Sequence, residues 1–289
     1  MPSDDEIHIY VGCTEAQDLI AKVLSWSVLR RTQRAVRFHP LYAHAVGFEM
    51  PRDPQNRPGT PFSFHRFMIP EIAGYRGRAI YMDCDQIVFK DVARLHDWPM
   101  HGAPLLCCDT RNKRKPTPTK RSSMMLLDCA RLDWQIQRIV QDLDAEHYSY
   151  QALFSLEGYP HTLPRAWNAL DRYRWPWTAL LHFTSKARQP WIHHRHALAY
   201  LWVKELFAAL QANYITSDEV RAAAARQLVR PSLVHQMVHR LADPRALPEA
   251  VKAADEPFIS ACAARDFNNV PGEYRDPRVG TARQSARLG

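Results

Sequence analysis

Two aspartates one residue apart, Asp83 and Asp85, stand between the apolar runs Ala79-Ile80-Tyr81-Met82 and Ile87-Val88-Phe89. Short runs of this kind, rich in β-branched and aromatic residues, read as buried strands. Carboxylates at i and i+2 repel each other, and burial penalises their charged forms unless a cation or a proton lies between them. Hard ions such as Mg²⁺ and Mn²⁺ take oxygen ligands, commonly one or two carboxylates completed by substrate phosphates. The chemistry suggested is a divalent metal on Asp83 and Asp85 that in turn holds a diphosphate. Asp-x-Asp is common by itself, and a solvated turn is the competing reading. His182, inside the apolar run Ala179-Leu180-Leu181-His182-Phe183, could join two carboxylates around a metal as a neutral imidazole. A structural histidine at a strand end is the alternative.

Basic residues accompany these acids. Arg66, in Ser63-Phe64-His65-Arg66-Phe67-Met68-Ile69-Pro70, has apolar neighbours, and its planar fork suits phosphate or carboxylate. A partly exposed helix arginine is the plain reading. Between Arg111 and Arg121 lie six basic residues and no acidic one. Such runs are usually solvated, and this one, set between two expected core strands, could also form a flap over an anion.

The elements that must position these groups follow from the apolar pattern. Residues 7–11 read as a strand meeting the turn Gly12-Cys13-Thr14, and residues 15–29 as an amphipathic helix with Thr14 as its N-cap. Residues 35–40 are a possible second strand. A β–turn–α opening with a small residue at the turn suits a nucleotide near the strand's carboxyl end, but any α/β fold has such units. The four prolines of residues 48–61 indicate a loop, and residues 63–70 a short helix stopped near Pro70. Strands are expected at 105–108 and 122–128, helices at 131–143 and 148–156, and a loop at 163–171. Beyond residue 195 helical patterns dominate, at 197–210, 217–228, 233–241 and 257–264. The expected organisation is a domain over 1–195, a helical extension over 196–270, and an aperiodic, Arg-bearing tail over 271–289 that is expected to be disordered.

The chain has 289 residues, 46% apolar and 24% charged, enough for one large or two modest domains with a real core. No apolar run approaches the ~20 residues that span a bilayer, and the acidic start Met1-Pro2-Ser3-Asp4-Asp5-Glu6 lacks the layout of a secretory signal. The six cysteines show no metal-site spacing, consistent with reduced, buried thiols in a cytoplasmic protein. A formal charge of +8 favours an anionic partner without choosing among nucleotide, nucleic acid, glycan phosphate and membrane surface.

Taken in order, the segments strand–Gly12-Cys13-Thr14, Phe64-His65-Arg66-Phe67-Met68-Ile69-Pro70, Gly77-Arg78-Ala79-Ile80-Tyr81-Met82-Asp83-Cys84-Asp85, Ser123-Met124-Met125-Leu126-Leu127-Asp128, Trp167-Asn168-Ala169-Leu170-Asp171 and Leu181-His182-Phe183-Thr184 with Gln189-Pro190-Trp191 resemble family 8 glycosyltransferases. The resemblance spans roughly residues 7–195. It implies the GT-A fold, α/β with a mixed, mainly parallel central sheet, and transfer of a hexose from a nucleotide-diphosphate sugar, a UDP-sugar above all, with retention. It implies that Asp83, Asp85 and His182 hold the metal, Mn²⁺ before Mg²⁺. Tyr10, Gly12 and Thr14 would cradle the nucleoside, Cys84 would lie within the donor site, and Arg66 near the diphosphate. The family's usual lysine before Pro-Trp is replaced by Gln189, so Lys186 or Arg188 would supply that charge. Gln151 follows Tyr150 rather than the family's aspartate and is the candidate near the reacting carbon. The implied partners are the nucleotide-sugar donor and a glycan, lipid-linked glycan or protein acceptor, with peripheral membrane association through the basic tail as a further option. Two other classes compete. A haloacid-dehalogenase-like phosphatase would use Asp83 as nucleophile, but Gln86-Ile87 departs from its motif and no later Gly-Asp-x-x-x-Asp follows. A nucleic-acid binder would use the run between Arg111 and Arg121, yet no known module accompanies it.

Overall fold

The computed structural model describes residues 6–44, 47–57, 60, 62–109, 121–160 and 162–264. Its strands are β1 (Ile7–Gly12), β2 (Val36–Pro40), β3 (Arg78–Asp83), β4 (Gln86–Val88), β5 (Leu105–Cys107), β6 (Met124–Asp128), β7 (Ala169–Leu170) and β8 (Leu180–His182). Its α-helices are α1 (Asp18–Leu29), α2 (Phe62–His65), α3 (Ile69–Ile72), α4 (Ala93–His96), α5 (Ile136–Asp144), α6 (Tyr150–Phe154), α7 (Ala199–Gln211), α8 (Ser217–Ala225), α9 (Ser232–His239), α10 (Glu249–Ala253) and α11 (Glu256–Ala264).

The near-continuous apolar runs become central strands because both faces of the sheet are covered. Side chains alternate along a strand, so parity sorts them. Ile7, Ile9, Val11, Ile80, Met82, Met124 and Leu126 join one core with α1, α7 and the later helices. Tyr10, Ala79, Tyr81, Met125 and Leu127 join the other, with Phe64, Phe67, Trp134 and Ile136. Each fully buried Val, Leu, Ile, Met or Phe among these contributes about 1.5–3 kcal/mol. The five-stranded sheet runs β2-β1-β3-β6-β5. β1 is parallel to β2 and β3, while β6 is antiparallel to β3 and β5, so four strands share one direction. A second sheet, β4-β8-β7, carries the other half of the site.

The helical C-terminal region packs on the first core. Lys22 of α1 pairs with Glu219 of α8 at 2.6 Å, and Arg30 and Arg31 both reach the buried Glu205 of α7. Trp191 lies against Trp202, with ring centroids 5.3 Å apart.

Three local expectations need correction, and one helix was not expected. Pro70 lies in the first turn of α3 and so starts a helix rather than ending one, because proline lacks only an N–H that this turn leaves unpaired anyway. The helix expected from residue 131 begins at Ile136. Leu132 and Gln135 are extended, which lets Trp134 bury itself edge-on against Phe67. The region 163–171 holds a 3-10 turn (Arg165–Asn168) and β7. The helix α10 had no counterpart among the expected elements.

Candidate functional site

Because β1 and β3 run parallel in register, with Gly12 opposite Asp83, both strands end at the same edge of the sheet. Asp83 is the last residue of β3, and a tight turn through Cys84 and Asp85 leads into β4. Gln86 of β4 pairs with His182 of β8, and this register carries the histidine to the aspartates. One ligand atom from each of Asp83, Asp85 and His182 falls within 4.8 Å of the others, the arrangement a metal ion needs.

The proton arrangement sharpens that reading. Asn168 Nδ2 donates to Ser123 Oγ at 3.0 Å, which leaves the amide oxygen facing His182 Nδ1 at 3.0 Å. In that orientation of the amide, Nδ1 carries the ring proton and donates it to Asn168 Oδ1. Nε2 then presents a lone pair 3.1 Å from Asp85 Oδ1, and that oxygen accepts no hydrogen bond although it is buried. Two acceptors this close repel unless a cation or proton lies between them. A histidine held through its other nitrogen is the usual arrangement for a metal ligand.

Each carboxylate is also anchored through one oxygen. Gln189 Nε2 donates to Asp85 Oδ2 at 2.9 Å and to the Phe183 carbonyl at 3.0 Å. Tyr81 Oη donates to Asp83 Oδ1, and Arg66 Nη2 lies 3.3 Å from the same atom, so Oδ2 takes neither contact. Burial pushes the Asp83 carboxyl above its ordinary range; Arg66 opposes this, Asp85 adds to it, and His182 and Tyr81 oppose it. Arg66 is 1% exposed, bonded also to the carbonyls of Ser63 and Ser122, and stacked on Tyr81 and Phe154 at 4.7 and 5.0 Å.

Gly12 has a steric role here. A Cβ at this position would come 2.1 Å from Tyr81 Oη, so the glycine leaves room for the phenol that holds Asp83. Tyr10 is 2% exposed and stacked on His39 at 4.5 Å. Burial pushes its phenol up to about 12. The Cys84 side chain lies in the core, its thiol pushed well up by burial, while its backbone N–H donates to the Gly12 carbonyl at 3.1 Å. Thr14 caps the 3-10 turn Glu15–Gln17, its N–H donating to Gln17 Oε1 at 3.0 Å. Lys186 and Arg188 lie exposed on the 3-10 turn Lys186–Arg188 that follows β8. Gln151 is exposed on α6, whose Tyr150 and Phe154 face the Phe64 and Arg66 side of the structure. The opposite face of α6 lines a groove of about 370 Å³ with α5, which contains none of the three clustered residues. Residues 110–120 of the basic run lie outside the described residues.

Asn168 and Gln189 are positioning residues that sequence reasoning did not single out as part of the site. An amide beside an apolar run gives no signal until the fold shows what it touches. The loop carrying Gln189 is itself tied down from the helical region. Arg230, fully buried, donates from Nε to the Pro190 carbonyl and from its backbone N–H to the Trp191 carbonyl, both at 2.7 Å, and bonds Ser232 and Gln236. Ser232 in turn donates from its backbone N–H and hydroxyl to the buried Asp255, at 2.9 and 2.6 Å.

No family model matches the chain. Among curated proteins, Protein CDI of Arabidopsis thaliana is 28% identical over 136 residues, which cover 42% of this chain and 52% of that protein. The match thus spans about half the length of that relative. Among solved structures, LgtC in its Q189E active-site mutant form superposes with a TM-score of 0.51 at 13% identity, over 70% of this chain and 96% of that one. GlyE of Streptococcus pneumoniae gives 0.50 at 15%, over 69% and 60%. The bifunctional glycosyltransferase WbbM gives 0.52 at 9%, over 71% and 50%. The fold is that of the GT-A glycosyltransferases. The expected fold class is therefore correct, including the helices that follow the sheet.

Proposed function

We propose that this protein is a metal-dependent glycosyltransferase that moves a hexose from a nucleotide-diphosphate sugar, a UDP-sugar in the first instance, to a hydroxyl of a glycan or other acceptor, with retention. The observation that carries the proposal is the pair of facing acceptors, His182 Nε2 and the unbonded Asp85 Oδ1, beside Asp83 at the carboxyl edge of a GT-A sheet. LgtC is a galactosyltransferase whose structure has been solved with donor and acceptor sugar analogues, which supports a donor and acceptor of that kind.

Asp83, Asp85 and His182 fit a divalent ion and would hold it, Mn²⁺ before Mg²⁺. When bound, such an ion supplies positive charge to the diphosphate of the leaving nucleotide. The chain's own residues would do the rest. Gln189 and Asn168 keep Asp85 and the His182 tautomer fixed, so little reorganisation is needed as charge develops. Tyr81 and Arg66 hold Asp83. Lys186 and Arg188, a few residues beyond His182, would provide the cationic groups for the diphosphate that Gln189 cannot. Gln151 remains the proposed contact near the reacting carbon, with Tyr10, Gly12 and Thr14 shaping the nucleoside end. We assign the transferase unit to residues 1–195 and the extension to residues 196–270, whose described helices carry the brace behind Gln189. A dehalogenase-like phosphatase gains no support, since the solved structures that share this fold are glycosyltransferases.

The deciding experiment is thermal unfolding with UDP, GDP, CDP and ADP, each with Mn²⁺ and with EDTA. A ligand at a hundredfold excess over its Kd adds about 2.7 kcal/mol of stability. A Mn²⁺-dependent rise with UDP that is lost in Asp85→Ala is the expected result. No rise with any nucleotide would overturn the proposal.

A further inference from the structure

Outside the site, the least expected surface feature is a turn at residues 172–178, Arg172-Tyr173-Arg174-Trp175-Pro176-Trp177-Thr178. Trp175 and Trp177 are 70% and 67% exposed, against at most 54% for any other large exposed hydrophobic side chain among the described residues. Large aromatic side chains normally bury most of their area, so two held in water within three residues call for a partner. Looseness does not explain them. The backbone N–H groups of Trp177 and Thr178 donate to the Arg174 carbonyl at 2.7 and 2.9 Å, and Arg174 N–H donates to Thr178 Oγ1 at 2.9 Å. Tyr173 anchors one shoulder against Phe89, ring centroids 4.7 Å apart, and Thr178 is buried at the other.

The charged side chains within the turn itself are of one sign. Arg172 and Arg174 are exposed beside the tryptophans, and the Lys90 ammonium sits over the Trp175 ring at 5.5 Å. The acids nearest in sequence and packing are already engaged. Asp91, next to Lys90, accepts from the Ala93 N–H at 2.9 Å. Asp171 bonds Thr184 and His196, and the buried Glu205 is held by Arg30 and Arg31. Indole rings favour the boundary between lipid headgroups and acyl chains, and basic side chains are drawn to anionic headgroups. A sugar-binding platform would instead set amides or carboxylates beside the rings to take the hydroxyls, and residues 172–178 contain none.

We infer that the turn at residues 172–178 is a docking surface for an anionic lipid bilayer, with Trp175 and Trp177 entering the headgroup boundary and Arg172, Arg174 and Lys90 meeting its phosphates. No helix among the described residues is long and apolar enough to cross a membrane, so attachment at this turn is peripheral. It does not depend on the transferase chemistry.

The test is flotation of the full chain with vesicles of phosphatidylcholine alone and of phosphatidylcholine mixed with phosphatidylglycerol, at low and physiological salt. The wild-type chain should float with the anionic vesicles only, and less so as salt rises. Trp175→Ser/Trp177→Ser should weaken binding by at least about tenfold. Arg172→Gln/Arg174→Gln should weaken it about fivefold per arginine. Both variants alter side chains that stand in water, so their melting temperatures should match the wild type. Absence of flotation with every vesicle would overturn the inference, as would undiminished flotation of the double tryptophan variant. Tryptophan fluorescence that responds to soluble oligosaccharides while vesicles go unbound would overturn it in favour of a glycan platform.

Discussion

Gly12 and Tyr81 form a pair whose coupling can be measured. The phenol lies across the glycine and donates to Asp83, with no room for a methyl group beneath it. In Gly12→Ala the new Cβ would stand 2.1 Å from Oη and 2.9 Å from Cζ of a ring that is fully buried. The ring must move, which costs about 1–3 kcal/mol of overpacking. Moving it also breaks a hydrogen bond to a carboxylate, about 1.5–3 kcal/mol. Gly12→Ala should therefore destabilise by about 2.5–6 kcal/mol in sum. Tyr81→Phe alone loses only the hydrogen bond, about 1.5–3 kcal/mol. In the double variant the hydroxyl is gone, and the closest remaining approach is the milder one to Cζ. The two changes should then fall short of additivity by about 2 kcal/mol. Urea unfolding of the four proteins, followed by circular dichroism at neutral pH, gives the cycle directly. Additivity within about 0.5 kcal/mol would refute the steric reading of Gly12. So would a Gly12→Ala variant as stable as the wild type.

Two further predictions concern the metal ligands and acid stability. Gln189→Leu removes the donor to Asp85 Oδ2 without touching a ligand atom, and Mn²⁺ affinity by titration calorimetry should fall about 10–100-fold; unchanged affinity would show that Asp85 needs no such anchor. His39, stacked on Tyr10, is pushed down to about 4 by burial first and then by His8, His44 and Arg37, with Glu6 opposing. Its unfolded form binds a proton near pH 6.5, so stability is full above that pH and declines as pH falls towards 4. The ring is only half-buried, so the loss across that window should be about 1 kcal/mol rather than the full value of the shift. His39→Phe, which preserves an aromatic stack, should show a flatter urea-midpoint profile between those limits, and an unaltered profile would assign the acid sensitivity elsewhere.

The central unit was legible because it is local. Apolar runs on either side of Asp83 and Asp85 become β3 and β4 wherever they are buried, and alternation within 79–82 and 124–127 assigns each side chain to a face. The start of α5 was not legible. Residues 131–135 fit a helical pattern, but Arg131 closes a 3-10 turn and burying Trp134 against Phe67 draws Leu132 and Gln135 into extended backbone, a tertiary gain that outweighs local preference. Pro70 likewise reads as a stop in sequence and as a first-turn residue once the chain continues into α3.

The sequence by itself determined that two carboxylates end a buried strand, that a histidine follows in another apolar run, and that helices come after, because these depend on residue type and short-range period. Only the tertiary structure decided what the groups do to one another. The β4–β8 register brings His182 to Asp85 across nearly a hundred residues of chain, and Asn168 sets its tautomer. Gln189, at the position where a charged residue was expected, turns inward to hold a carboxylate, with Arg230 and Asp255 bracing its loop from still further along the chain. Hydrogen bonds reach only about 3 Å, so partners distant in sequence stay invisible until the fold brings them within that range.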